Sequence, residues 1–312
     1  VLETPVALLI FNRPDVTERV FNAIAAARPK TLLVVADGPR ADRAGEAEKC
    51  RATRAIIERV DWPCDVRRNF SETNLGCKRR VSSGLDWVFQ QEDRAIILED
   101  DILPDPTFFG YCRELLERFA SEPRIMHISG DNFQPNGWTN PYSYYFSKLP
   151  HIWGWATWRR AWQLYDVTMR DWPEKRQSGW ISTHCPDPLE ARLWTVHFDQ
   201  THAGKIDTWD HQWTFTCWKN GGLCVAPAVN LASNIGFGPE ATHTTQASAL
   251  GNLPTRPIGK LVHPLTIERG AAEDQYEFEF VLDGQMLRKS QRLDYRLKRL
   301  ARRTLRGLGL RR

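Results

Sequence analysis

The sequence predicts an α/β protein with a mostly parallel central sheet and helices on both of its faces. Three observations predict it. Short β-rich apolar runs alternate with segments of helical apolar spacing along residues 1–130. One of those runs, Ala95 to Leu98, ends abruptly in the carboxylates Glu99-Asp100-Asp101, as a buried strand does. With 312 residues, 42% of them hydrophobic and 26% charged, the chain has enough apolar material for one large core or two modest ones.

Taken in order, Pro5 to Asn12 is an apolar run ending in a polar turn, and Asp15 to Ala27 places Val16, Val20, Ala23, Ile24 and Ala27 on one helical face. Thr31 to Ala36 is the next strand and stops at Asp37-Gly38-Pro39. Glu46 to Val60 is a second helix and Cys64 to Arg68 a short strand. After Asn74-Leu75-Gly76 a helix is expected over Arg80 to Gln90, then a strand over Ala95 to Leu98 that ends in Glu99-Asp100-Asp101. A helix over Pro104 to Ala120 and a strand over Ile125 to Ser129 follow. From there to about Gly238 periodicity is poor, and ten of the thirteen tryptophans lie between Pro150 and Trp218. Residues 239–285 are polar, with an acidic-aromatic run, Glu273 to Phe280, that reads as a strand or a partner-binding segment.

Sheets of this kind bind ligands at the carboxyl ends of their strands, which puts Asn12, Asp37 and Glu99 to Asp101 on one edge. Three carboxylates directly after a buried strand suit a hard divalent cation, Mn²⁺ or Mg²⁺, shared with a diphosphate; an acidic surface turn is the competing reading. Asp37 can accept hydrogen bonds from a ribose or base, or simply precede a turn glycine. Asn12 and Arg13 are either a helix cap or phosphate contacts. Asp210 and His211, flanked by Trp209 and Trp213, are candidates for acid–base work, against Asp210 as the cap of a helix through Trp218. His243 is a metal or phosphate ligand or a solvated loop residue. Trp153, Trp155 and Trp209 are candidates for stacking on sugar rings, against filling the core. The chain has no GxxxxGK[ST], HExxH or GxSxG signature, and Gly236-x-Gly238-x-x-Ala241 only mimics a dinucleotide fingerprint.

The order of these pieces resembles nucleotide-diphospho-sugar transferases of the GT-A fold, most closely the α-mannoside N-acetylglucosaminyltransferase I family. The resemblance runs from Val6 to about His243. It rests on PVALLIFNRP, TLLVVADGPR, AIILEDDILPDPTFF, IMHISGDNF, HIWGWATWRRAW and TWDHQW followed by GGLCVAPAVNLASNIGFG. It implies that Glu99-Asp100-Asp101 is the DxD-like motif, with Asp101 the direct ligand of Mn²⁺ and Glu99 and Asp100 near ribose and donor sugar. Asp37 would read the uridine. The implied reaction is inverting transfer from a nucleotide-sugar, a UDP-sugar, to a glycan or lipid-linked acceptor, with Asp210 as base and His211 its rival, since His211-Gln212 interrupts the family's Asp-Asp-Trp motif. A non-catalytic carbohydrate-binding or membrane-adaptor protein on the same fold is the alternative. A nucleotidyltransferase would need an early Gly-rich basic loop that is not evident.

The expected organisation is a GT-A domain over residues 1–285, with a nucleotide-binding half at 1–130 and an acceptor half at 131–250, followed by a C-terminal basic amphipathic helix at 286–312. That last segment holds eleven Lys/Arg against Asp294, so +10 sits there and −6 on the rest of a chain whose net charge is +4. Leu293, Leu297, Leu300 and Leu308 recur among its arginines, which suits an anionic membrane surface; the leucine stripe argues against nucleic acid. Seven scattered cysteines without a CxxC pair, and no visible export signal, lead to the expectation of a cytoplasmic protein, peripheral on the cytoplasmic membrane face.

Overall fold

The computed structural model describes residues 1–237 and 250–291. His243 and the basic stretch 292–312 lie outside the described residues. The elements run β1 (Val6–Ile10), α1 (Pro14–Ala27), β2 (Thr31–Ala36), α2 (Glu46–Ala55, continued by a 3₁₀ turn Ile56–Arg59), β3 (Asp65–Phe70), α3 (Cys77–Gln91), β4 (Arg94–Glu99) and β5 (Ile102–Pro104). They continue with α4 (Phe108–Arg118), β6 (Ile125–Ser129), β7 (Tyr144–Ser147), β8 (Trp155–Trp158), α5 (Arg159–Trp162), α6 (Trp172–Gln177), α7 (Ile181–His184) and α8 (Pro188–His202). The last are α9 (Asp210–Lys219), β9 (Leu223–Pro227), β10 (Ala232–Asn234), α10 (Ala271–Phe280) and α11 (Gly284–Gln291).

Eight strands form one sheet in the order β3-β2-β1-β4-β8-β6-β9-β7. β3, β2, β1 and β4 pair in parallel, β8 runs antiparallel between β4 and β6, β9 is parallel to β6, and β7 is antiparallel at the edge. Six of the eight strands therefore point the same way, which is the predicted α/β class. Strand alternation sorts the core into two layers. Val6, Leu8, Ile10, Leu32, Val34, Ile96 and Leu98 pack with Val20, Phe21 and Ile24 of α1 and Leu115 of α4 on one face. Ala7, Leu9, Leu33, Val35, Ala95 and Ile97 pack with Val81, Leu85 and Val88 of α3 and with the tryptophan-rich region on the other.

Several expectations need correction. The helix expected from Arg80 begins at Cys77, capped by Gly76 at φ +78. The helix expected from Pro104 begins at Phe108, because Ile102–Pro104 is taken by antiparallel pairing with β10. The run Glu273 to Phe280 is a helix, α10. Asp274 and Glu277 on that helix are buried: Asp274 accepts from Ser147 Oγ at 2.6 Å and pairs with Arg269, while Glu277 accepts from His151, Tyr145 and Gln134. Two acidic side chains thus share its inward face with Phe278. Met286, where the basic helix was expected to start, falls inside α11.

Candidate active site

Parallel strands bring the segments that follow β1, β2 and β4 to one sheet edge, and a cleft of about 540 Å³ opens there. Its walls include Arg13, Asp37, Glu99, Asp100, Asp101, Trp153, Trp209, Asp210 and His211. Nine of the twelve sequence-derived candidates therefore share one cavity.

The acidic trio follows β4 directly. Phe11 N donates to Asp100 Oδ2 at 3.1 Å, and Arg13 Nη1 pairs with Asp101 Oδ2 at 2.9 Å. Burial holds all three carboxyls above their ordinary range, and they reinforce one another: Asp101 and Asp100 push Glu99 up, as does Asp210. Arg13 pulls Asp100 and Asp101 the other way. Three crowded carboxyls with one guanidinium between them leave a local deficit of positive charge.

The short β5–β10 sheet carries Gly236 onto this trio. Ile235 N donates to Asp101 O at 2.8 Å and Arg13 Nη2 donates to Gly236 O at 2.9 Å. A Cβ on residue 236 would stand 2.0 Å from Asp101 Oδ2, so only glycine admits the carboxylate here. The apparent dinucleotide fingerprint thus has a different role: its first glycine makes room for Asp101.

Asp37 lines the cleft, but its carboxylate is already engaged. Gly38 N and Leu75 N donate to Oδ1, both at 2.9 Å, and Asn74 Nδ2 and Gly76 N donate to Oδ2 at 3.0 and 3.2 Å. Burial raises its pKa while these amides pull it down. The carboxylate holds the 74–76 loop at the start of α3. Arg80, 7% exposed, lines the same wall, donates to Asn69 O and Oδ1, and through its charge also draws the Asp37 pKa down.

On the opposite wall, residues 206–211 lead into α9. Asp210 stands in its first turn, where Oδ1 accepts from Thr208 Oγ1 and from His211 N at 3.0 Å. Its Oδ2 makes no hydrogen bond among the described residues. His211 Nδ1 lies 2.8 Å from Thr201 Oγ1, and its ring stacks on His197 at 4.9 Å. Asp207 reaches across to Gly76 and to Lys78 N, 3.4 Å away, so this wall also touches the mouth of α3.

Two candidates sit elsewhere. Asn12 does not line the cleft; its Nδ2 donates to Glu46 Oε1 at 2.9 Å, and Glu46 in turn pairs with Arg40, which does line it. Trp155 is 0% exposed, in the central antiparallel strand, with its ring stacked on His127 at 4.9 Å and Trp209 at 5.5 Å. It is a core residue, with no surface to offer a sugar. Trp209 is likewise nearly buried but reaches the cleft wall, whereas Trp153 is half-buried and set edge-on to Phe133 and Phe237. Sequence reasoning missed Arg40, Asn74, Arg80, Asp207 and Gly236. The Asn-Leu-Gly turn was visible, but nothing in its spacing tied it to Asp37.

No protein-family profile and no curated relative matches the chain. Among solved structures it is similar to residues 1–349 of TarS from S. aureus (TM-score 0.40, 10% identity, 73% of this chain and 58% of that one). It is also similar to UDP-glucose pyrophosphorylase complexed with UDP-glucose (0.35, 9%, 72% and 90%) and to mouse xyloside xylosyltransferase 1 (0.32, 13%, 69% and 81%). The chain thus spans 58% of the TarS structure's length.

Proposed function

We propose that the chain is a metal-dependent, inverting glycosyltransferase of the GT-A type, moving a sugar from a nucleoside-diphosphate donor, a UDP-sugar, to a hydroxyl of a glycan or lipid-linked acceptor. The observation that carries this reading is one cleft at the strand ends with Glu99-Asp100-Asp101 on one wall and Asp210 on another, close enough for Asp210 to act electrostatically on Glu99.

The donor set suits a divalent cation. It consists of hard carboxylate oxygens, and the missing side chain of Gly236 lets the Asp101 carboxylate take its place in the cleft. Among the described residues no three His, Cys, Asp or Glu side chains converge as a cage. The ion in this reading is therefore held by one or two carboxylates with phosphate oxygens completing the shell, as Mn²⁺ and Mg²⁺ can be. Asp101 would hold the ion with Glu99 and Asp100 beside it, and a bound ion would supply Lewis-acid neutralisation of the departing diphosphate. His243, the second expected ligand, lies outside the described residues.

The chain's own groups divide the remaining work. Asp210 Oδ2 takes the proton of the acceptor hydroxyl as its oxygen bonds to the anomeric carbon and the bond from that carbon to the diphosphate breaks. Thr208 and the His211 amide fix the other oxygen and so orient the carboxylate. Arg13 adds positive charge beside Asp101, and the Trp153 face offers an aromatic wall to a sugar ring. UDP release from a panel of UDP-sugars with Mn²⁺ tests the reading. Asp210→Asn should keep donor binding and lose about 10²–10⁴ in kcat. If Asp210→Asn turns over at the wild-type rate, another group is the base; if no nucleotide-sugar is cleaved or bound by folded protein, the reading is overturned.

A further inference from the structure

Asp210 is followed in the chain by a second titratable side chain on the same wall, and α8 sets what that ring can do. His211 lines the cleft in the first turn of α9. Its Nδ1 lies 2.8 Å from Thr201 Oγ1, in the last turn of α8. Thr201 is 3% exposed, and among the described residues its hydroxyl has no other hydrogen-bond partner. A buried hydroxyl carries one proton and needs an acceptor for it. The imidazole nitrogen is the acceptor within reach, so the Thr201 proton goes to Nδ1. The opposite arrangement, with a proton on Nδ1, would leave the hydroxyl proton buried and unpaired. In the neutral ring the remaining proton therefore belongs on Nε2.

The ring is also held in place. One face stacks on His197 with centroids 4.9 Å apart and planes at 12°, and Trp194 packs at a steep angle to both imidazoles. Burial pushes the His197 pKa down to about 4, so the stack is made on an uncharged ring. Among the described residues His211 Nε2 has no hydrogen-bond partner, and neither has Asp210 Oδ2. This wall therefore presents two adjacent groups of opposite character, an acceptor at Asp210 and a donor at His211.

We infer that His211 is a binding residue and not the base: its Nε2–H donates to an oxygen of the acceptor sugar whose attacking hydroxyl faces Asp210, and Thr201 is the positioning residue that fixes this tautomer. A nitrogen that already carries a proton cannot take one from the hydroxyl, which leaves that step to Asp210. The sugar as partner rests on the reaction proposed for the cleft; the tautomer does not.

The test starts with the full chain labelled with ¹⁵N-histidine. At pH ~8.5, where imidazoles are ordinarily neutral, the His211 resonances, identified by their loss in His211→Gln, should report a proton on Nε2. Thr201→Val should move the Nδ1 resonance, because the hydrogen bond it accepts is gone, and Thr201→Ser should move it back. UDP release from UDP-sugars with Mn²⁺ and a panel of methyl glycosides reads the contact with the sugar. His211→Ala should lower kcat/KM about tenfold, as the loss of one hydrogen bond does. His211→Gln keeps an N–H of similar reach and should stay within about threefold of wild type, with an unchanged thermal midpoint. Four results would each overturn the inference and leave the proposed reaction standing: a proton on Nδ1 in the wild-type protein, an Nδ1 resonance unmoved in Thr201→Val, a folded glutamine variant that loses about 10²-fold or more as a missing base would, or an alanine variant as active as wild type. No UDP release by folded wild-type protein would overturn both.

Discussion

Substituting Gly236 by alanine probes the acidic trio without touching a group assigned to catalysis. The new methyl carbon would lie 2.0 Å from Asp101 Oδ2 and 2.6 Å from its Cγ, and real contacts of this kind essentially never fall below 3.0 Å. The carboxylate must therefore withdraw by about 1 Å, out of its 2.9 Å ion pair with Arg13, in a site where the two side chains are only 14% and 19% exposed. Overpacking of this sort costs about 1–3 kcal/mol, enough to lower the melting temperature by a few degrees while the fold persists. A displacement near 1 Å in a positioning group costs on the order of 10²-fold in function. Scanning calorimetry and titration with UDP in the presence of Mn²⁺ separate the two effects: the variant should remain folded and lose most of its metal-dependent nucleotide affinity. A melting temperature lowered as expected, with UDP affinity within about twofold of wild type, would refute the assignment of Asp101.

Three further outcomes follow from the geometry. Trp155→Ala should destabilise by about 3–5 kcal/mol, because the ring is fully enclosed, and unfolding in denaturant reads this directly. Trp153→Ala should leave the unfolding midpoint nearly unchanged and raise KM for the acceptor or donor sugar; an unchanged KM would remove it from the site. At His151, burial pushes the imidazolium pKa down, but Glu277 at 2.5 Å, helped by Asp131, lifts it to about 9. A pKa raised from 6.5 on folding stabilises fully below pH ~6.5 and loses that stabilisation as pH rises through about 9, on the order of 3 kcal/mol. His151→Gln should flatten the dependence of stability on pH across that window, and an unaltered slope would show that the pair contributes nothing.

β1, β2 and β4 were legible because each is an apolar run punctuated by a polar turn, and β3, Asp-Val-Arg-Arg-Asn-Phe, because such segments alternate with helical spacing. That alternation also fixed which edge carries Asp37 and Glu99 to Asp101. The later half was less legible for identifiable reasons. β8, Trp-Ala-Thr-Trp, is buried on both faces yet antiparallel, and its tryptophans look the same in sequence whether they fill a core or face a sugar. α10 escaped recognition because its inward face sets Asp274 and Glu277 beside Phe278, and their partners Arg269 and His151 are not revealed by hydropathy. Asp37 reads in sequence as a nucleoside contact or a turn residue, and neither reading reveals the amides of Leu75 and Gly76, nearly forty residues on, that engage it. Gly236, in sequence only a mimic of a dinucleotide fingerprint, gains its role because β10 pairs with β5 and sets it against Asp101.

The most direct measurement is a calorimetric titration of UDP into the wild-type chain and into Asp101→Asn, with Mn²⁺ and then with the metal chelated. The account predicts tight binding to wild type with Mn²⁺, and at least a tenfold loss both on chelation and in the variant. Binding that ignores both the metal and the substitution, or no binding by folded wild-type protein, would contradict it.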